Sequence, residues 1–134
     1  MELYVKHFSE LTTEELFEIY KLRALVFVLE QNCAYQDVDD ADKQAYHLWL
    51  KDENDIVAYS RVLPKGVKHS EVSIGRVISA RRRCGLGSKI VRSGIEVAKN
   101  KLNAERIFIE AQSYAREFYE KSGFKQNGNE FMED

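Results

Sequence analysis

The chain has 134 residues, of which 44% are hydrophobic and 31% charged, and its net charge is -2. This length suits one domain with one core, and the composition excludes a disordered chain and a generally basic nucleic-acid binder. No apolar run approaches the roughly 20 residues that span a bilayer, and the amino-terminal residues lack the basic-then-apolar order of a signal peptide. We therefore expect a single cytoplasmic domain over residues 1–134, without a nucleic-acid or membrane partner.

The average charge conceals two oppositely charged segments. Residues 30–55 hold eight acidic and two basic residues, a balance of -6, whereas residues 76–101 hold eight basic residues and one acidic residue, a balance of +7. Both segments can be solvated faces. Alternatively, one binds an anion and the other attracts a cation. Charge alone leaves both interpretations open.

The first third of the chain predicts a strand, a helix and a loop. Side chains alternate over residues 2–8, which is typical of a short strand. Thr12 or Thr13 can cap the following helix, in which apolar side chains recur at helical spacing over residues 16–27. Residues 32–44 are polar and are expected to form a loop.

Three strands are predicted next. Residues 47–51 and 56–63 are expected to form a hairpin around a turn at residues 52–55, because both are rich in apolar and β-branched side chains. Pro64 then interrupts the pattern. Residues 71–79 form the third predicted strand.

The last part of the chain alternates helices and strands. A basic, glycine-bearing turn at residues 81–87 opens a helix that extends to Leu102. A strand over residues 106–111, a short helix over residues 114–122 and a final strand from Phe124 follow. The order β-α-β-β-β-α-β-α-β predicts an α/β domain with a mixed sheet.

The glycine turn predicts an anion site. Gly85 and Gly87 allow a ligand to approach the backbone, and a helix start offers unpaired N–H groups and the positive end of the helix dipole. A P-loop is excluded because Ser88-Lys89 follows in the wrong order, and the dinucleotide fingerprint is excluded because Ile90 occupies its third glycine position. An ordinary turn is the alternative that a single Gly-x-Gly leaves open.

Two motifs resemble those of the GNAT acetyltransferases. The segment Arg82-Arg83-Cys84-Gly85-Leu86-Gly87 is similar to the family's pyrophosphate-binding motif, Gln/Arg-x-x-Gly-x-Gly/Ala, and follows the fourth strand as it does in the family. Residues 115–124 are similar to the family's carboxyl-terminal signature, a Phe-Tyr pair before Gly-Phe. Residues 26–39, Arg61 and residues 74–77 resemble the ElaA-like subfamily. The resemblance implies the GNAT fold, a mixed and mostly antiparallel sheet flanked by helices.

The chain departs from the family pattern at two points. Ala34 stands where the family has Pro, which is expected to loosen a turn. The sequence ends at Asp134, where the family usually continues, so we expect the last strand to be missing and the edge near residues 124–132 to be open. Open sheet edges are usually covered, and we therefore expect a homodimer.

The resemblance implies a binding site for acetyl-CoA as cosubstrate. The pantetheine arm is expected to bond to the backbone at Val77 and Ile78, and Gln112 can bond it as well. The adenosine phosphate is expected near Lys89 or Arg116, with a solvated surface position as the alternative for each charged side chain. The residues assigned to the pyrophosphate are Arg82, Arg83, Cys84, Gly85, Leu86, Gly87 and Ser88.

The resemblance also implies two catalytic residues. Tyr119 occupies the position of the tyrosine that protonates the leaving thiolate in many relatives, and a core-facing tyrosine is the alternative. Glu30 is the first choice as general base because it closes the helix that borders the acceptor site in the family, and a solvated helix-end carboxylate is the alternative. Cys33 and Cys84 have neither a CxxC partner nor a His nearby in the sequence, which disfavours a metal site, a disulfide and a covalent acyl-enzyme route.

The sequence thus predicts an N-acetyltransferase that moves an acetyl group from acetyl-CoA directly to a primary amine. A non-catalytic acyl-CoA-binding or sensing module is the alternative, and a nucleotide-binding α/β domain rests on the glycine turn alone. The acceptor, a small molecule or a peptide, stays open. The acidic residues 37–42 suggest a rim that concentrates cationic amines.

Overall fold

The computed structural model describes residues 1–32, 35–79, 85–110, 124–127 and 130–133. The strands are β1 (Glu2–His7), β2 (Tyr46–Asp52), β3 (Asp55–Leu63), β4 (Val72–Ser79), β5 (Ile107–Glu110), β6 (Phe124–Asn127) and β7 (Glu130–Glu133). The helices are α1 (Thr13–Arg23), continued by a π-helical segment (Ala24–Glu30), and α2 (Leu86–Leu102), with 3-10 turns at Phe8–Glu10 and Asp40–Gln44. No helix within these ranges is long and apolar enough to cross a membrane.

One sheet contains all the described strands, in the order β1-β2-β3-β4-β5-β7-β6. Neighbouring strands are antiparallel except β4 and β5, which are parallel. A parallel pair needs a crossover connection, and α2 lies in it. The predicted fold class, a mixed and mostly antiparallel sheet flanked by helices, is confirmed.

α1 begins with a reciprocal pair of cap hydrogen bonds. The Glu15 N–H donates to the Thr12 hydroxyl, and the Thr12 N–H donates to the Glu15 carboxylate at 2.8 Å. The sequence predicts one regular helix to Phe27, but the helix widens in its second half, where the Gln31 N–H donates to the Val26 carbonyl at 2.9 Å. The widened turns keep Val26 and Phe27 buried against the sheet.

The main core lies between the sheet and α2. Alternate strand positions supply its aliphatic side chains, because successive side chains of a strand point to opposite faces. Its fully buried members include Leu48, Leu50, Ile74, Ile90, Val91, Ile107 and Ile109. Gly94 lets α2 approach β4, since a Cβ there would lie 3.1 Å from the Ile74 Cδ1 atom.

A smaller core lies on the opposite face of the sheet, under α1. Ile19 and Phe27 of the helical side pack against Trp49, Tyr59 and Ile78 of the strands. The sheet is therefore covered by a helix on each face.

β4 contains a β-bulge. Two of its residues, Arg76 and Val77, lie opposite one residue of β3, Ser60. The φ angle of Arg76 is 54°, in the left-handed region, which costs a non-glycine residue roughly 1 to 3 kcal/mol. The extra residue also reverses the side-chain alternation, so that Ile74 faces α2 whereas Ile78 faces α1.

The carboxyl-terminal end of the sheet differs from the prediction of one final strand and a missing neighbour. Two strands, β6 and β7, pair there as an antiparallel hairpin, and β7 lies between β5 and β6. The sequence Asn127-Gly128 is a hairpin-turn signal that the prediction did not use. The helix predicted over residues 114–122 lies outside the described residues.

Candidate active site

β4 extends beyond its parallel partner. Among the described residues the two strands pair at three positions, the last being Ile74 opposite Ile109. β4 then continues to Ser79, whereas β5 ends at Glu110. Residues 75–78, which we name the open edge of β4, therefore have no described strand on the β5 side. The backbone of such an edge can hydrogen-bond an extended ligand.

The first turn of α2 presents backbone N–H groups. Gly85 precedes the helix with a φ angle of 72°, a left-handed conformation that glycine adopts without strain. The Lys89 N–H donates to the Gly85 carbonyl at 3.1 Å and is the first to bond within the helix. The N–H groups of Leu86, Gly87 and Ser88 consequently have no partner inside α2, which makes this helix start suitable for an anion.

A groove of about 460 Å³ runs along the start of α2. The positive charges of Lys89 and Arg92 outweigh the negative charge of Glu96 in this groove. The positive end of the helix dipole adds to their attraction for an anion. A phosphate-bearing ligand fits these charges. The groove is lined by Gly85, Ser88, Lys89, Arg92, Ser93 and Glu96.

A buried cluster of three arginines and three aspartates lies on the α1 face of the sheet. Asp42 is 2.7 Å from the Arg23 Nη1 atom and 2.9 Å from the Arg61 Nη1 atom. The Nε atom of Arg76 is 2.9 Å from Asp37, which ties the loop before β2 to the bulge of β4. The members of this ion cluster are Arg23, Asp37, Asp39, Asp42, Arg61 and Arg76.

The arginines keep Asp39 and Asp42 ionised. Burial alone would raise the pKa of Asp42, but the hydrogen bond from Arg23 and the charges of Arg23 and Arg61 hold it below its ordinary value. Burial likewise opposes the charge of Asp39, and Arg61 lowers its pKa nonetheless. Three positive and three negative charges thus cancel within the fold.

His47 extends this network as a neutral side chain. Its Nε2 atom lies 3.0 Å from the Asp42 carbonyl oxygen and its Nδ1 atom 2.7 Å from the Tyr59 hydroxyl. A carbonyl only accepts, so Nε2 carries the proton and Nδ1 accepts from Tyr59. Burial lowers the pKa of His47 to about 4, and the charges of Arg23 and Arg61 act in the same direction.

Comparison with known proteins decides the family. The model of the acetyltransferase (GNAT) family matches residues 9–124. The chain belongs to the GNAT family. A UPF0039 protein of Schizosaccharomyces pombe is 37% identical to it, over 100% of this chain and 91% of that protein. The protein ElaA of Escherichia coli is 35% identical over 88% of this chain and 80% of its own length.

Solved structures agree with this assignment. The crystal structure of Escherichia coli ElaA matches with a TM-score of 0.87 and 29% identity, over 99% of both chains. The crystal structure of an acyl-CoA N-acyltransferase from Pseudomonas aeruginosa matches with a TM-score of 0.85 and 28% identity, over 100% of both chains. The predicted likeness to GNAT acetyltransferases of the ElaA type is confirmed. The protein is an acyltransferase, and its family uses an acyl-CoA as cosubstrate.

The GNAT residues predicted from the sequence are partly described. Val77 and Ile78 lie on the open edge, and Gly85, Leu86, Gly87 and Ser88 form the start of α2. Glu30 ends the π-helical segment with an exposed side chain that has no hydrogen bond or ion pair among the described residues. Arg81, Arg82, Arg83, Cys84, Gln112, Arg116, Tyr119 and Cys33 lie outside the described residues. Residues 1–32, 35–79 and 85–110 contain no group of three or more His, Cys, Asp or Glu side chains that could hold a metal ion.

The acidic rim expected over residues 37–42 is wrong for this GNAT protein. Asp37 and Asp42 are buried and Asp39 is half-buried, each beside an arginine, whereas the Asp40 side chain is fully exposed. The compensating arginines come from α1, β3 and β4, so a charge count over neighbouring residues does not detect them.

The sequence does carry a signal for this ion cluster. Arg23 falls at a helical position shared with apolar residues, and Arg61 lies inside an apolar strand. Charged side chains at core positions are almost always paired when buried. Such arginines, together with the aspartates of a nearby loop, would have pointed to the cluster.

Proposed function

We propose that this protein transfers an acetyl group from acetyl-CoA directly to a primary amine within a ternary complex. The observation that carries the proposal is the open edge of β4, followed along the chain by a helix start that can bind phosphates. Pantetheine is an extended chain with amide groups, and the cosubstrate's diphosphate is the anion that the helix start requires. Because acyl-CoA is made and used inside cells, we place the reaction in the cytoplasm.

The proposed cosubstrate path begins on the open edge. The pantetheine arm exchanges hydrogen bonds with the backbone of Val77 and Ile78, and Gln112 adds one more. The thioester then lies close to the bulge of β4, where the strand pairing with β5 ends. In this proposal the reacting carbonyl is reached from the α1 face of the sheet.

The proposed phosphate site completes the path. The N–H groups of α2's first turn and those of the motif Arg82-Arg83-Cys84 bond the pyrophosphate, each such charge-assisted bond contributing roughly 1.5 to 3 kcal/mol. Lys89 and Arg92, which line the groove, supply positive charge for the adenosine phosphate. The positive balance of residues 76–101 agrees with an anion-binding site in this segment.

The proposed transfer is a single displacement at the thioester carbon. The neutral amine attacks the carbonyl, the C–N bond forms, the C–S bond breaks, and the thiolate of CoA takes a proton. Tyr119 is the proposed donor of that proton. Glu30 is the base that the family resemblance assigns, and its exposed position at the end of the π-helical segment leaves it accessible to solvent.

The proposed acceptor is a primary amine on a small molecule or a peptide. Since the charges of Asp37, Asp39 and Asp42 are compensated within the fold, the proposal includes no selection for polycations. An acceptor screen with acetyl-CoA and detection of the released thiol tests the reaction. Tight acetyl-CoA binding without thiol release for any amine would identify a binding module instead.

The cosubstrate site is tested by a pair of matched glycine variants. A Cβ on Gly85 would meet no atom of the described residues within 4 Å, so we expect Gly85→Val to place its bulk in the space where the phosphate must approach. We expect acetyl-CoA binding to weaken about 10- to 100-fold by calorimetry, the loss of one or two charge-assisted bonds.

Gly66→Val is the control for this substitution. Gly66 also has a positive φ angle, 78°, and a Cβ there would likewise have no neighbour within 4 Å in the part of the chain that the structure describes. The two variants therefore share the backbone strain but not the phosphate contact. Equal affinities for acetyl-CoA in Gly85→Val and Gly66→Val would show that the phosphate site is elsewhere.

A further inference from the structure

Arg76 joins the bulge of β4 to the loop that precedes β2. Its Nε atom is 2.9 Å from the Asp37 carboxylate, and its Nη2 atom donates to the Asp37 carbonyl at 3.1 Å. The same Nη2 atom lies 3.4 Å from the Asp39 carboxylate. A planar guanidinium offers several donors in a fixed geometry, so it can hold all of these groups at once. The loop over residues 35–39 is therefore attached to the open edge of β4.

Two other arginines of the ion cluster hold the same loop. The Arg23 Nη2 atom donates to the Asp37 carbonyl at 2.6 Å, and the Arg61 Nη1 atom donates to the Asp39 carboxylate at 2.6 Å. Both arginines are fully buried, where hydrogen bonds to charged groups are stronger than in water. The loop is thus attached to α1, β3 and β4. A binding residue is placed most precisely when regular elements of the fold support it in this way.

Tyr35 lies at the start of this loop, next to Arg76. The centre of its ring is 4.5 Å from the Arg76 Cζ atom, which is the separation of a cation–π contact. Tyr35 is nevertheless 44% exposed, so part of the ring is accessible to a ligand. The loop therefore presents an aromatic surface to solvent beside the bulge of β4.

The α1 face is the side from which an amine can approach this part of the sheet. On the opposite face, Ile74 and Ile109 are buried in the core that α2 covers. Glu110 follows Ile109 in β5 and so points to the α1 face, where the Arg76 Nη1 atom lies 3.9 Å from it. In the proposed function the thioester is close to the bulge, and Tyr35 then lies beside the path of the amine.

Lys68 and Glu110 add one side chain of each sign to the balanced ion cluster. Glu110 is 3.9 Å from Arg76 and 3.7 Å from Lys68, and the His69 Nε2 atom is 2.8 Å from its Oε1 atom. Lys68 is also 3.9 Å from Asp39. Because the acidic and basic side chains balance, we do not expect charge to select the body of the acceptor. The exposed aromatic ring is then the feature that can discriminate between amines.

We propose that Tyr35 determines acceptor specificity and favours a primary amine attached to an apolar or aromatic group. This rests on the proposed function. The apolar group lies against the exposed part of the Tyr35 ring while the amino group reaches the thioester carbon. The bonds made and broken are those of the proposed transfer, in which the attacking neutral amine gives up one proton and the thiolate of CoA gains one. Arg76 is a positioning residue, because it holds both the ring and the loop.

The test compares phenethylamine with ethanolamine, two primary amines on a short chain that ends in a phenyl or a hydroxyl group. Contact between the phenyl group and the Tyr35 ring removes apolar surface from water, so we expect kcat/KM of the wild type to be about 10-fold or more higher for phenethylamine. Tyr35→Ala should remove this preference, mainly by raising KM for phenethylamine, and should change ethanolamine by less than about twofold. Tyr35→Phe keeps the ring and should keep the preference. The dissociation constant of acetyl-CoA should be the same in all three proteins.

Phe17→Ala is the matched control. Phe17 is also an exposed ring beside a cation, since the Lys21 Nζ atom is 5.6 Å from its centre, but both residues lie on α1. This variant should keep the wild-type kinetics with both amines. Arg76→Lys keeps the charge but loses the planar group, so it should weaken the preference for phenethylamine. Added to Tyr35→Ala, it should weaken that preference no further, because the two residues act together.

Several results would overturn the proposal. A wild-type protein that releases thiol equally well with both amines, or a Tyr35→Ala variant that keeps the preference, would exclude selection by Tyr35. A loss of the same factor for both amines in Tyr35→Ala would assign the ring a structural role. An Arg76→Lys variant with the wild-type preference would remove the positioning role, and if this variant does not fold, the Tyr35 variants decide. Discrimination can fail while thiol is still released, whereas the absence of thiol release with any amine would overturn the proposed function itself.

Discussion

Replacing His47 by glutamine is expected to remove a large part of the pH dependence of folding. In the folded protein both ring nitrogens of His47 have hydrogen-bond partners, burial disfavours the charged ring, and Arg23 and Arg61 oppose a further positive charge. The pKa of His47 therefore falls from 6.5 to about 4 on folding. The unfolded chain binds more protons between these two values, so the free energy of unfolding decreases as the pH falls from 6.5 to 4.

The size of the effect follows from the two pKa values. Each pKa unit corresponds to about 1.4 kcal/mol, so the difference between 6.5 and about 4 amounts to roughly 3 kcal/mol of lost stability. The contribution of neutral His47 to the free energy of unfolding is complete above pH 6.5 and is lost below about pH 4. Glutamine retains a donor and an acceptor for the Asp42 carbonyl and the Tyr59 hydroxyl but does not titrate in this range.

Urea unfolding at several pH values between about 7 and about 4.5 measures this slope. The wild type is expected to lose about 1 kcal/mol or more per pH unit in the middle of the range, and His47→Gln to lose much less. The variant is expected to be less stable at pH 7, so the slope is the readout. His7→Gln, at the end of β1, should keep the wild-type slope. Identical slopes for His47→Gln and the wild type would refute the assignment of a neutral, buried His47.

Three further predictions concern catalysis, stability and assembly. Tyr119→Phe is expected to lower kcat about 100-fold or more while the acetyl-CoA dissociation constant stays the same, and a variant with wild-type turnover would remove the proposed role. Arg23→Leu leaves buried aspartates short of a partner and should lower the free energy of unfolding by about 3 to 5 kcal/mol, whereas Lys21→Leu, in an exposed ion pair, should change it little. Equal effects of the two variants in urea would contradict the buried cluster. Because β6 lies at one end of the described sheet, we expect a homodimer, and a monomeric mass by light scattering at micromolar concentration would count against it.

The elements that the sequence predicts well are those that local contacts determine. The cap of α1 at Thr12, the hairpin of β2 and β3 and the helix from Leu86 to Leu102 agree with the structure within a residue or two. Each depends on side-chain periodicity, a cap or a turn within a few residues. The same holds for Gly85, which directly precedes α2 as the sequence predicts.

The features that the sequence did not predict depend on residues far apart in the chain. The pairing of Arg76 with Asp37 and that of His69 with Glu110 join distant segments. The point at which β4 leaves β5 is a property of two strands separated by a helix, and no local pattern specifies it. The prediction of an acidic rim at residues 37–42 is wrong for this reason, because the arginines that neutralise these aspartates lie elsewhere in the chain.

The short contact between β4 and β5 also bears on how the molecule opens. In the described part of the chain, three residue pairs form the direct strand contact between strands β1 to β4 and the part of the sheet formed by β5, β6 and β7. Backbone hydrogen exchange in β5 should therefore report an opening of lower free energy than that of the central strands β2 and β3. A pantetheine chain on the open edge would continue the hydrogen-bonded ladder, so bound acyl-CoA should slow exchange on both sides of that junction and make unfolding more cooperative.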